Sequence, residues 1–119
     1  MSARPTVVRV SAAHPLSYEP LPGATGMELA RVITDSDVTH FGGGYAQFPT
    51  DGEFADWTLA YDEVFYVLEG RFEVEHDGRT HEGAPGDILL LEKGTTVTYR
   101  GSAGTRVFFV LHPRNWADG

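Results

Sequence analysis

Glu63-Val64-Phe65-Tyr66-Val67-Leu68-Glu69-Gly70-Arg71-Phe72-Glu73-Val74-Glu75-His76-Asp77-Gly78 is the stretch that decides the fold. Its first six residues are rich in β-branched and aromatic side chains and stop at Gly70, as a strand does. Phe72-Glu73-Val74-Glu75 then alternates apolar and acidic residues, the pattern of a strand with one wet face. Asp77-Gly78 between alternating runs predicts a two-residue hairpin, because glycine tolerates the positive φ that this turn needs.

The same punctuation continues in both directions. Ile88-Leu89-Leu90-Leu91 is apolar at every position, which predicts a strand covered on both faces. Lys93-Gly94 breaks the chain. Thr96-Val97-Thr98-Tyr99 and Val107-Phe108-Phe109-Val110-Leu111 read as strands separated by Gly101 and Gly104, and Pro113 ends the last of them. Toward the N-terminus the best helix candidate is Gly26 to Ile33, although Val32-Ile33 suits a strand equally well. Residues 1–25, with Pro15, Pro20 and Pro22, read as an extended arm that packs on the barrel or on a partner subunit. Fourteen glycines and seven prolines cut the chain into short runs throughout. The expectation is one all-β domain over residues 26–119, a β-sandwich or small barrel.

Size and charge narrow the function. The chain has 119 residues, enough for one core but not two. Its net charge is −8, and it is unevenly placed. Residues 51–92 hold twelve acids against Arg71 and Arg79, a local net of −10, and the remainder carries five acids and seven bases, a net of +2. Such a field repels phosphate backbones and anionic lipid, so neither nucleic acid nor membrane is an expected partner. The absence of cysteine excludes disulfides, thiolate nucleophiles and zinc–sulfur sites. With no apolar run at the N-terminus, a cytoplasmic location is expected.

Two motifs carry a family resemblance. Glu63 is followed after six residues by Gly70. Pro85-Gly86-Asp87 is followed by four apolar residues and Glu92-Lys93-Gly94. This pair resembles the two motifs of the cupin superfamily, which implies a single jelly-roll β-barrel and a homodimer. Asp56-Trp57-Thr58-Leu59-Ala60-Tyr61-Asp62-Glu63 and the closing Phe109-Val110-Leu111-His112-Pro113-Arg114-Asn115-Trp116 are similar to segments of the EutQ-like cupins of ethanolamine utilization. That family is linked to bacterial microcompartments and an acetate kinase activity. The kinase is not expected here, because Lys93 is the single lysine and there is no phosphate loop. Gly42-Gly43-Gly44 lacks the lysine and the helix start that such a loop requires.

The resemblance also bears on metal. Cupins that bind a metal use two histidines and the glutamate of the first motif with one histidine of the second. Here the glutamate is Glu63, while the histidine positions align with Trp57, Leu59 and Val97, which cannot coordinate. No metal and no cofactor are expected. On an extended strand Trp57, Leu59, Tyr61 and Glu63 share one side, which the alignment makes the barrel interior. With Phe65, Val97 and Tyr99 they outline an apolar pocket around one carboxylate. A carboxylate deprived of hydration has a raised pKa and can serve as an acid or base near neutral pH.

The expected function is therefore binding of a small organic molecule and a metal-independent proton transfer, of isomerase, lyase or dehydratase type. Glu63 is the candidate base, with Tyr61 or His40 as acid. Trp57, Leu59, Phe65, Val97, Tyr99 and His112 are candidate substrate contacts. His112 faces inward if Phe108 and Val110 do. His76 and His81 flank the hairpin turn and His14 lies in the arm. Two alternatives stand beside this reading. One is a non-catalytic binding or assembly module related to ethanolamine utilization. The other is a metalloenzyme with relocated ligands, His40, His112 and Glu63.

Overall fold

A computed structural model describes residues 7, 9 and 16–118, so His14 and most of the predicted arm lie outside the described residues. The elements are β1 (Glu19–Pro20), β2 (Glu28–Ala30), α1 (Val32–Ser36), β3 (Gly42–Phe48), β4 (Gly52–Thr58) and β5 (Asp62–Glu69). Then come β6 (Phe72–His76), β7 (Arg79–Gly83), β8 (Ile88–Leu91), β9 (Thr96–Gly101), β10 (Thr105–His112) and a 3-10 turn at Trp116–Asp118. They form two antiparallel sheets, ordered β1-β2-β3-β10-β5-β8 and β4-β9-β6-β7. This is the jelly-roll architecture of a cupin, drawn as two facing sheets rather than one closed ladder.

The core lies between the sheets. Phe65, Val67, Val107 and Phe109 from the larger sheet meet Phe72, Val74, Val97 and Tyr99 from the smaller one. Phe48, Phe65 and Phe72 are fully buried, each contributing on the order of 2–3 kcal/mol of transfer free energy. Asp77 and Gly78 form the predicted two-residue hairpin, with φ of 52° and 77°, and His76 pairs with Arg79 across it. The Gly42-Gly43-Gly44 run is a buried strand segment rather than a ligand loop. Gly43 has φ +125°, and a Cβ there would run into the Phe109 carbonyl oxygen on β10.

Two sequence expectations change. The segment from Gly26 to Ile33 is not a helix: β2 occupies Glu28–Ala30, and the helix begins only at Val32. Pairing of β2 with β3 supplies the ladder that overrides the weak local helix pattern. The Ile88–Leu91 strand is covered on one face only. Leu91 is buried, whereas Ile88 and Leu90 are 62% and 78% exposed. Val64 and Tyr66, their cross-strand neighbours on β5, are also exposed, so an apolar row runs along the end strand of the larger sheet. No helix among the described residues is long and apolar enough to cross a membrane.

Candidate functional site

The site is built at a corner. The chain leaves the smaller sheet at Thr58 and enters the larger one at Asp62. The Leu59 N–H donates to the Thr95 carbonyl at 2.9 Å, and the Gly94 N–H donates to the Leu59 carbonyl at 2.8 Å, which pins the turn. Trp57 before the corner and Tyr61 and Glu63 after it therefore face one space from two sheets. That space is a cavity of about 300 Å³, at the small end of the usual range for ligand sites.

Glu63, Phe65, Tyr99 and Phe109 form its deep part, each no more than 5% exposed. Trp57, Tyr61 and Trp116 form an aromatic wall. Their ring centroids are 6.1 Å apart for Trp57–Tyr61, 6.0 Å for Trp57–Trp116 and 5.3 Å for Tyr61–Trp116. Phe54 extends this wall, 5.7 Å from Trp57. Leu21 and Pro22, from the end of the predicted arm, and Arg31, Thr34 and Arg114 complete the lining.

The polar centre is a pair. The Tyr99 hydroxyl donates to Glu63 Oε1 at 2.7 Å, and among the described residues no other hydrogen bond reaches that carboxyl. Burial pushes the Glu63 pKa from 4.5 up to about 8, and the Tyr99 hydrogen bond opposes the rise without cancelling it. Burial also raises the Tyr61 phenol, with the Glu63 charge adding to it, while the Trp57 indole and Arg31 pull the other way. Tyr99 is raised for the same leading reason, and by its carboxyl neighbour. With its pKa pushed up to about 8, Glu63 is mostly protonated at pH 7 yet within reach of its ionised form, so the group can give a proton or take one.

The C-terminal segment holds the aromatic wall in place. Arg114 Nη2 pairs with Asp37 Oδ1 at 2.8 Å, and Arg114 Nε donates to the Thr39 carbonyl at 3.1 Å. The Arg114 N–H donates to the His40 carbonyl. This three-point tether precedes Trp116 by two residues and turns its indole onto Tyr61 and Trp57.

Four sequence-derived candidates lie outside the cavity lining. Leu59 and Val97 are 2% exposed and belong to the core, behind the cavity rather than along it. His40 and His112 are exposed and pack edge to face with centroids 6.5 Å apart, so neither is placed to serve as the acid or as a substrate contact. The inward residues of β10 are Val107, Phe109 and Leu111, which turns His112 to the outside. Phe65, Tyr61, Trp57, Tyr99 and Glu63 do share the cavity. Lining residues missed by the sequence reading include Phe109 in the deep part and, around it, Arg31, Thr34, Phe54, Arg114 and Trp116. Phe109, Arg114 and Trp116 left a signal, since all three stand in the closing family-like segment.

The residues do not fit a resident metal. Of the four positions that hold one in metal-binding cupins, only Glu63 has a ligating atom. Among the described residues no three His, Asp or Glu side chains come together. The relocated set of His40, His112 and Glu63 is divided between the outer surface and the cavity, so that alternative is set aside.

Comparison with known proteins agrees with this architecture. The family described as ethanolamine utilisation protein EutQ matches residues 22–118. The chain is 34% identical over 88 residues to the acetate kinase EutQ of Salmonella typhimurium, which covers 74% of this chain but 38% of that protein. It thus spans about two fifths of such relatives. The crystal structure of an ethanolamine utilization protein Q from Salmonella typhimurium superimposes with a TM-score of 0.73 at 31% identity, covering 82% of this chain and 80% of that one. The polyketide cyclase RemF of Streptomyces resistomycificus shares the fold, with a TM-score of 0.72 at 22% identity over 89% of this chain and 78% of that one. A family match over nearly the whole described chain, on a cupin frame with Glu63 retained and the histidines replaced, makes this chain a member of the EutQ family.

Proposed function

We propose that the chain binds a small organic molecule in this cavity, in the cytoplasm, and catalyses a metal-independent proton transfer of isomerase, lyase or dehydratase type. The observation that carries the reading is Glu63: a buried carboxyl on the cavity wall with one hydrogen bond and a pKa near the working pH. Glu63 takes or gives the proton, Tyr99 holds its Oε1, and the Tyr61 hydroxyl is the second group that can donate to the reacting molecule. The aromatic wall excludes water and orients the substrate. A carbon acid beside a carbonyl would exchange its proton through Glu63, so purified protein in deuterated buffer should catalyse deuterium uptake by the substrate. Glu63→Gln should lower that rate by about 100-fold or more. Unchanged exchange would remove Glu63 from the chemistry.

A non-catalytic binding or assembly role in ethanolamine utilization is the second reading, favoured by the family itself. It predicts ligand binding, or association with other proteins of that system, without turnover. The kinase activity named for the longer relatives is not carried over. The lining offers a triphosphate two arginines, one of them already paired, and the single lining carboxyl is largely uncharged at pH 7. A homodimer belongs to the same proposal. Among the described residues the end strand β8 has an unpaired edge and the apolar row of Ile88 and Leu90, and a second copy would cover both at once.

A further inference from the structure

The cavity has a charge opposite to that of the protein around it. The chain carries −8, yet the lining contains two guanidinium groups and one carboxyl. Arg114 is neutralised by Asp37. Glu63 is mostly protonated at pH 7. What remains is Arg31. Among the described residues, Arg71, Arg100, Arg106 and Arg114 each have a carboxylate within 3.4 Å, whereas Arg9, Arg31 and Arg79 have none, and of these three only Arg31 lines the cavity. On the cavity wall a guanidinium with no carboxylate of its own is a place for a carboxylate that arrives from outside, held by a charge-assisted contact that the guanidinium fork can make bidentate.

A second group on the same wall points the same way. Thr34 Oγ1 accepts the Gly43 N–H at 2.8 Å. That bond uses the oxygen as acceptor and leaves the hydroxyl proton to donate. Thr34 lines the cavity with Arg31, so the lining presents a cation and a hydroxyl donor, and its one carboxyl is the buried Glu63. The same lining carries the aromatic rings of Trp57, Tyr61 and Trp116.

Resting on the proton-transfer reading above, we propose that the substrate is a small monocarboxylate with a flat or unsaturated apolar body. Its carboxylate pairs with Arg31 and accepts from Thr34. Its body lies against Trp57, Tyr61 and Trp116, and its exchanging carbon is turned toward Glu63. A cationic or neutral molecule of the same shape gains nothing from Arg31. The negative surface elsewhere turns nonspecific anions away, so the preference is local to Arg31.

Trp57 and Trp116 make the test direct, because both indoles line the cavity and report occupancy by fluorescence. Phenylacetate and its neutral isostere phenylacetamide are titrated into the full chain and into Arg31→Gln at pH 7, with thermal melts confirming that the variant is folded. Phenylacetate should bind the wild-type chain about tenfold more tightly than the amide. Arg31→Gln should abolish that preference by weakening the acid, while the amide moves by less than about twofold. Equal affinity for acid and amide in the wild-type chain, or a preference that survives Arg31→Gln, would overturn the carboxylate assignment while leaving the binding cavity standing. A chain whose indole fluorescence responds to neither compound at millimolar concentration would overturn the cavity reading and the assignment together.

Discussion

The Tyr99 hydroxyl and Glu63 Oε1 lie 2.7 Å apart across the two sheets, one on β9 and the other on β5. This is the contact through which the smaller sheet sets the chemistry of a carboxyl carried by the larger one. Tyr99→Phe removes it without changing the ring. The Glu63 pKa should then move above its value of about 8, because the hydrogen bond was opposing the effect of burial. The variant should lose about 1–2 kcal/mol of stability. The upper inflection of a pH–rate profile checks the first expectation and urea denaturation the second.

Glu63 also makes stability depend on pH. Its folded value of about 8 lies above the ordinary 4.5, so between those limits the folded chain keeps a proton that the unfolded chain has released. Stability is then fully present below about pH 4.5, falls as pH rises toward 8 and is level beyond it, a loss on the order of a few kcal/mol. Glu63→Gln should flatten this slope and be the more stable chain at pH 9. Urea midpoints at pH 5, 7 and 9 decide it, and parallel slopes for both proteins would remove the buried acid.

Trp116 is 37% exposed, so its loss should cost little fold stability, about 1 kcal/mol. It is nevertheless the outer part of the aromatic wall. Trp116→Ala should weaken binding of a flat ligand by about tenfold while barely moving the melting temperature. Fluorescence titration through the remaining Trp57 and a thermal melt separate the two effects.

The exposed row on β8 gives an association prediction. Light scattering should report about twice the 13.0 kDa chain mass for the wild type. Ile88→Glu with Leu90→Glu should give the single-chain mass with an unchanged far-ultraviolet spectrum. A wild-type chain that remains monomeric at high concentration would contradict the dimer.

Gly43 supplies a test of the frame. Gly43→Ala places a methyl against the Phe109 carbonyl at a φ that alanine rarely adopts, and should cost about 3 kcal/mol or more. Calorimetry measures it directly.

The strands were legible where their signals are local. Asp77-Gly78 announces its own turn, and Phe72 to Glu75 shows its wet and dry faces by alternation. Glu63 was legible because the motif that carries it is a strand with a fixed parity. Legibility ended where long-range pairing decides. The inward face of β10 depends on its register with β3 and β5, and no local pattern distinguishes Phe108 inward from Phe109 inward, so the side taken by His112 stayed conditional until the ladder turned it outward. Uniform apolarity at Ile88–Leu91 could not say what covers each face. Arg31 and Trp116 reach the cavity only because β2 and the chain end fold back over it, and neither belongs to a periodic run.

The corner at Leu59 has a mechanical consequence. Because Trp57 projects from one sheet and Glu63 from the other, a molecule seated between them acts as a rivet through both layers. Prying the layers apart at this end requires expelling it, so occupancy and resistance to unfolding should rise together, by the logarithm of ligand concentration over its dissociation constant. Heat resistance of the protein is thereby a readout of what the cavity holds, available before any reaction has been identified.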